Sequence, residues 1–223
     1  MNLVDREGRR FSFYDGRHPA ELRIPPSFYA PFVADAQHVH VHVSGNHFNR
    51  DIFGGLETVA ATVSTDVHAW GGVDPRAYPY AFRSDFVFMS AAVAGERTPE
   101  VLRLILDKGR ARVVVATDGE RGCYAATRQD PLIRRFPAAV PERPVVDSNG
   151  AGDGFSAAFM YAWMNGADLA ESVLHGAVSG AFACGAPGTH EELITGGQWR
   201  DGVERARAAY VAAAAAAAAA DVA

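Results

Sequence analysis

Between positions 147 and 155 the chain reads Asp147-Ser148-Asn149-Gly150-Ala151-Gly152-Asp153-Gly154-Phe155. An acid, then small residues, then a second acid is a pattern that can hold an anion beside a base. Phe155, Ala158, Phe159 and Ala162 follow at i, i+3, i+4 and i+7, which predicts an amphipathic helix. The apolar Pro144-Val145-Val146 ahead of the run predicts a strand that hands over to that helix. At a helix N-terminus the first N–H groups lack intrahelical partners, and the helix dipole adds partial positive charge. Gly150, Ala151 and Gly152 have too little bulk to keep a phosphate from those groups. The run therefore predicts an anion hole with the Asp153 carboxylate at its rim. That pair suits phosphoryl transfer to an alcohol: the carboxylate takes the hydroxyl proton while backbone dipoles stabilise the transferring group. A strand-to-helix turn that uses glycine for geometry alone would read the same, with Asp153 merely favouring the dipole.

A second pattern precedes it. Arg112-Val113-Val114-Val115-Ala116-Thr117 reads as a buried strand, and Thr117-Asp118-Gly119-Glu120-Arg121-Gly122 follows as a tight turn. Gly119 and Gly122 are free to take positive φ there. Cys123 then opens another strand, through residue 127.

Taken in this order, the two segments carry a resemblance. Asp147-Ser148-Asn149-Gly150-Ala151-Gly152-Asp153 resembles the D-T-x-G-A-G-D signature of the PfkB (ribokinase-like) carbohydrate and nucleoside kinases, and residues 117–122 resemble the family's T-x-G-x-x-G turn. The resemblance implies an α/β fold, a ribokinase-like three-layer αβα sandwich with a largely parallel sheet. It implies an ATP-dependent phosphotransferase that moves the γ-phosphoryl group to a hydroxyl of a sugar or nucleoside, with Mg2+ as cofactor. Asp153 is then the general base, with Gly150, Ala151 and Gly152 the anion hole. Thr117, Asp118, Gly119, Glu120, Arg121 and Gly122, with Gly152 and Asp153, bind the nucleotide. Asp147 and Asn149 hold a monovalent cation, K+, behind the anion hole, as in some family members. The helix around Gly176, Gly180 and Ala183 lies near the base of ATP, or its small residues serve close helix packing.

The sequence departs from the family in two places. Where the equivalent strand ends in N-x-x-E, Ser90 stands for the Asn and Val93 for the Glu, with Glu96 three residues on. The lost acid would help organise magnesium between phosphates. The likeness spans roughly residues 7–187 and begins in the middle of the family pattern. The first βα units, an acid near the first strand, a G-G-x-x-N segment and most of the lid have no counterpart. The expectation is a phosphate half with the substrate half largely missing, through a misplaced start, a second chain, or loss. A rival expectation follows, of a catalytically impaired, truncated homologue acting as a nucleotide-binding or scaffold protein.

Composition bounds these readings. The 223 residues are 48% hydrophobic with a net charge of −5, enough for one domain with a sizeable core. The pI near 5.9 and the absence of a Lys/Arg cluster argue against nucleic acid; Arg9-Arg10 and Arg134-Arg135 read as solvated charge. Two cysteines without metal-type spacing suggest a reducing, cytoplasmic setting. The first residues are too polar for a signal peptide, and no apolar run is long enough to span a membrane. A sheet edge left open by the missing units would favour a homodimer.

The elements that must position the site alternate in type. Strands are predicted at residues 10–14 (ending at Asp15-Gly16), 38–43, 59–64 and 85–89, and a helix near 26–36. Thr98-Pro99 reads as N-cap and N1 of a helix with Leu102, Ile105 and Leu106 inward, closed by Gly109. Asp168-Leu169-Ala170-Glu171 reads as a capping box. The pattern Val203 to Tyr210 continues into nine alanines, a helical extension without chemistry, so residues 211–223 form an Ala-rich tail on one domain, 1–223. Alternation of this kind predicts a largely parallel sheet. His38, His40 and His42 share one strand face, but ligands along one straight strand diverge, so polar partners are expected for them rather than zinc. Asp66-Val67-His68 follows a strand, where α/β sheets place their sites; it resembles an aspartate-bearing stretch of the family, and a turn-forming aspartate would look the same.

Overall fold

Strand β1 (Asn2–Val4) pairs with β2 (Arg10–Ser12) in a two-stranded sheet, and six further strands form a second sheet in the order β3-β4-β5-β6-β7-β8. The computed structural model describes residues 2–4, 10–12, 19, 22–43, 49–189 and 191–220. The predicted strand end and turn at Phe13, Tyr14, Asp15 and Gly16 lie outside the described residues. The six strands are β3 (His38–His42), β4 (Thr62–Asp66), β5 (Phe86–Ser90), β6 (Val113–Thr117), β7 (Cys123–Thr127) and β8 (Arg134–Phe136). β3–β4 and β4–β5 are parallel, and β7–β8 is antiparallel. A mixed, mostly parallel sheet with flanking helices is the α/β architecture expected. Among the described residues no helix is long and apolar enough to cross a membrane.

Two compact units are distinguishable. The first centres on residues 22–116 and 126–133. Its helices are α1 (Pro26–Val33), α2 (Ile52–Leu56), α3 (Tyr78–Arg83) and α4 (Thr98–Lys108). β5 is buried at four of its five residues and so is β6, as a parallel strand covered on both faces requires. Leu102, Ile105 and Leu106 of α4 are buried as expected. Thr98, however, is helical rather than a cap: a 3-10 turn, Gly95–Arg97, leads in, and the Thr98 hydroxyl donates to the Gly95 carbonyl at 2.6 Å. Gly109 ends α4 in extended backbone, not the left-handed region. It is glycine because a Cβ would sit 2.8 Å from the Ile105 carbonyl and from Phe82 Cα. Arg128 covers the helix end, donating to the Leu106, Gly109 and Ala111 carbonyls at 2.8 Å each. α1 stops at Val33, three residues early, and β4 begins at Thr62, three residues later than its apolar run suggests.

The histidine strand has a polar answer. His38 Nδ1 pairs with Thr62 Oγ1 and its Nε2 with Ser64 Oγ, while His40 Nδ1 also reaches Ser64 Oγ, all at 2.8 Å. Among the described residues no cluster of three His, Cys, Asp or Glu converges as a metal site.

The second unit centres on residues 117–125 and 134–220. It holds α5 (Ala151–Met164), α6 (Leu169–Ala183) and α7 (Gly196–Ala220). α5 and α6 lie unusually close: a Cβ on Gly176 would stand 2.9 Å from the Phe155 carbonyl, and one on Gly180 3.0 Å from that of Ala151. Those two glycines therefore face α5 and permit its close approach. Asp168 caps α6, accepting the Glu171 N–H at 2.8 Å. The Glu171 carboxylate turns instead to Arg207 of α7, at 2.6 and 2.8 Å, and to His175, so the predicted box is half made. α7 runs on through the alanines.

Candidate active site

The strand predicted at Pro144-Val145-Val146 does not form. Val145 and Val146 are 63% and 59% exposed, and the Val146 and Asp147 N–H groups donate to the Cys184 carbonyl at 2.8 and 3.2 Å. Without a neighbouring strand, an irregular tether to the end of α6 delivers the chain to α5. The Cys184 thiol is pushed up by burial and by the Asp147 charge, which keeps it protonated.

The turn into α5 is built by Asp147. One of its oxygens accepts the Asn149 backbone N–H at 2.9 Å; the other accepts Asn149 Nδ2 and the Gly188 N–H, both at 3.0 Å. Gly150 then enters the left-handed region (φ 76°), which glycine takes freely, and precedes the helix as its N-cap. The Ala151 N–H reaches back to the Ser148 carbonyl at 3.3 Å, and the Gly154 N–H already bonds Gly150 at 2.8 Å. The first-turn donors left are those of Gly152 and Asp153. A Cβ on Gly152 would meet no described atom within 4 Å, so that side of the turn is open. Asp153 is exposed in the first turn and is among the residues lining a cavity of about 250 Å³, with Gly150, Ser179, Thr189, Glu192 and Leu193. Open first-turn N–H groups and an exposed acidic residue thus share the start of α5. Ala151, predicted as part of the hole, contributes backbone geometry while its N–H is engaged within the turn.

The cation expected at Asp147 and Asn149 meets a carboxylate already used by three N–H donors, and Asn149 turns its amide nitrogen toward it. What this geometry supplies is a latch that fixes the loop.

In the other predicted turn, Gly119 (φ 58°) and Gly122 (φ 90°) are in the left-handed region as expected. A Cβ on Gly122 would run into the Phe136 carbonyl of β8, so glycine is required twice over. Thr117 ends β6, and Gly119 and Glu120 form the exposed crest. Asp118 accepts Arg121 Nε and Nη2 at 2.9 and 2.6 Å, and Arg135 Nη2 lies 3.9 Å away. The two guanidiniums offset the Asp118 carboxylate and, with Glu120 on the crest, leave the turn and Arg135 without net charge. Arg135, set down from sequence as solvated charge, is placed by β8, where it faces Tyr124 with its guanidinium 5.2 Å from the ring centre.

Sequence reasoning also missed Arg143. It spans the segment after α6, bonding Glu192 at 2.7 Å and the Phe182 carbonyl at 2.9 Å, with its guanidinium 4.2 Å from the Phe182 ring centre. A lone arginine before an apolar run carries no sequence signal for this. A larger cavity of about 870 Å³ lies beside it, lined by Val140, Val178, Phe182, Ile194, Gly202 and Tyr210 among others.

In the first unit, the N-x-x-E replacements are also placed. Ser90 ends β5 with its hydroxyl accepting the Ala92 N–H at 3.3 Å, and Val93 is 63% exposed.

These geometries have counterparts. Residues 86–195 match the model of the pfkB family carbohydrate kinases. The chain is 43% identical over 197 residues to the acarbose 7(IV)-phosphotransferase of an Actinoplanes species, covering 87% of this chain and 64% of that one. A solved microbiome-derived acarbose kinase superposes with a TM-score of 0.82 at 36% identity, over 92% of this chain and 68% of that one. The nucleoside kinase of Methanocaldococcus jannaschii, an archaeal member of the ribokinase family, shares the fold with a TM-score of 0.69 at 22% identity, over 92% and 67%. The chain belongs to the PfkB family of carbohydrate kinases. It spans about two thirds of the length of these relatives.

Proposed function

We propose that this chain transfers the γ-phosphoryl group of ATP to a hydroxyl of a sugar or nucleoside, a carbohydrate related to acarbose being the first acceptor to try. One observation carries the reading: open first-turn N–H groups and an exposed carboxylate share the N-terminus of α5. Asp153 accepts the proton of the attacking hydroxyl, and the Gly152 and Asp153 N–H groups donate to the phosphoryl oxygens as charge builds on them. The Gly150-Ala151-Gly152 turn lets the phosphate approach the backbone. The Thr117–Gly122 turn lies along the nucleotide phosphates, with Arg121 and Arg135 offsetting Asp118. The apolar cavity along α6 and α7 takes the base.

Mg2+ usually binds through substrate phosphate oxygens and waters rather than in a protein cage, and held in that way by ATP it would leave the exposed Asp153 carboxylate to act as the base. When bound, it neutralises charge between the phosphates. No step is assigned to potassium, because the Asp147 latch already does the positioning.

A second reading, a nucleotide-binding protein without turnover, is favoured by one observation: exposed Val93 stands where the family carries its metal-organising acid. The deciding experiment follows ATP consumption with magnesium and potassium over a panel of acarbose, simple sugars and nucleosides. Acceptor-dependent ADP release supports the kinase; ATP binding without release supports the second reading.

A further inference from the structure

The cavity of about 870 Å³ beside Arg143 lies wholly within the second compact unit. Five of its lining residues carry polar side chains: Glu142, Arg143, Gln198, Arg205 and Tyr210. Four of them are spent on the protein itself. Glu142 accepts Arg205 Nε and Nη2 at 2.8 and 2.9 Å. Arg143 is held by Glu192 and by the Phe182 carbonyl. Tyr210 is 5% exposed and its hydroxyl is closed off from solvent, hence from a ligand that enters as water does.

Only half of Gln198 is spent. The Thr195 N–H and hydroxyl donate to Gln198 Oε1 at 3.0 and 2.8 Å, and the Gln198 N–H donates back to Thr195 Oγ1 at 3.3 Å. This reciprocal pair is a capping box at the start of α7. A backbone N–H can only donate, so its partner must be the amide oxygen, and the box fixes which way round the amide stands. Nε2 keeps both of its donors, since it makes no hydrogen bond to a described residue. A capping box accepts glutamate as readily as glutamine, and the helix dipole favours the acid at this end. Glutamine forgoes that gain and keeps an amide nitrogen at the cavity.

We propose that Gln198 Nε2 reads the base of the nucleotide, donating to a ring nitrogen or carbonyl oxygen on the edge of that base. The proposal rests on the kinase reading above and names the contact that selects the base within the cavity. Apolar walls reward any flat ring by area; orientation and choice come from the few polar groups set among them. A donor held by a fixed amide favours an edge that presents an acceptor to it and disfavours one that presents an N–H.

The test is a calorimetric titration of ATP into the wild type, Gln198→Glu and Gln198→Leu, with a thermal melt of each. Glutamate keeps the capping box and exchanges the donor for an acceptor; leucine removes box and donor together without adding charge. Both variants should bind ATP about fivefold more weakly, as the loss of one neutral hydrogen bond implies. Gln198→Glu should melt no lower than the wild type, and Gln198→Leu should melt lower. Unchanged ATP affinity in Gln198→Glu overturns the contact, as does no ATP binding by the wild type. Weakening in Gln198→Glu with none in Gln198→Leu assigns the effect to charge and overturns it as well. The titration needs no turnover. Weakened ATP binding in both variants of a protein that never consumes ATP would sink the kinase reading alone; an active kinase with unaltered ATP affinity would sink the base contact alone.

Discussion

Asp147→Asn is the change that most sharply tests how the α5 N-terminus is held. One Asp147 oxygen accepts a single N–H and the other accepts two. An asparagine can keep its oxygen on the doubly used side, retaining Asn149 Nδ2 and Gly188, but its amide nitrogen then faces the Asn149 N–H. A hydrogen bond to a charged group contributes about 1.5–3 kcal/mol when buried. Asp147 is half-buried, so one lost bond and two weakened ones should cost about 1–2 kcal/mol, and Asp147→Ala, which loses all three, about 3–4 kcal/mol after the same discount. For a chain of this size each kcal/mol lowers the melting temperature by about 2–4 °C. The loop also aims the Gly152 and Asp153 N–H groups. At 1.36 kcal/mol per tenfold in rate, a cost of about 1–2 kcal/mol carried into the transition state lowers turnover about 5- to 30-fold in Asp147→Asn, and further in Asp147→Ala. Thermal melts followed by ATP-consumption assays read both effects. An Asp147→Ala protein with unchanged melting and turnover would refute the latch.

Other perturbations separate packing from chemistry. Gly176→Ala forces a Cβ to 2.9 Å from the Phe155 carbonyl. Overpacking of about 1–3 kcal/mol should outweigh the ~1 kcal/mol that alanine gains over glycine in a helix; urea titration should show net destabilisation, and a stabilised variant would contradict the close α5–α6 approach. His38 has its pKa lowered by burial, with the Asp85 charge opposing. The unfolded chain therefore takes up the proton first as pH falls, so stability should be flat above the ordinary histidine value of about 6.5 and decline as pH drops through the lower folded value. His38→Gln should flatten that decline in urea titrations across pH; an unaltered profile would remove His38 as its source.

The sequence disclosed the two glycine turns better than the scaffold around them. The Asp147–Asp153 run and the Thr117–Gly122 turn were readable because their glycines answer to backbone geometry, which φ of 76°, 58° and 90° then displays. α4, β5 and β6 were readable from periodicity or from continuous apolar runs. α2 and α3 were missed, since five- and six-residue helices are too short to show a period. β8 is three residues, Arg-Arg-Phe, and its strand character comes from pairing with β7 rather than from alternation. Pro144-Val145-Val146 misled for the opposite reason: β-branched residues imply a strand only where a sheet edge receives them, and here two valines stay in solvent. Thr98 misled because a 3-10 turn continues backward from the helix. Arg135 and Arg143 act through partners distant in sequence, which no local pattern reports.

The central claim is that Asp153 is the base of a phosphoryl transfer carried out at the N-terminus of α5. Its most direct test is Asp153→Asn, with turnover on an acceptor of the wild type and ATP affinity measured side by side. The account predicts turnover reduced about 10²–10⁴-fold with ATP affinity little changed, because a positioned base acts only on the proton in flight. Turnover close to that of the wild type, or turnover and ATP binding lost together, would contradict it.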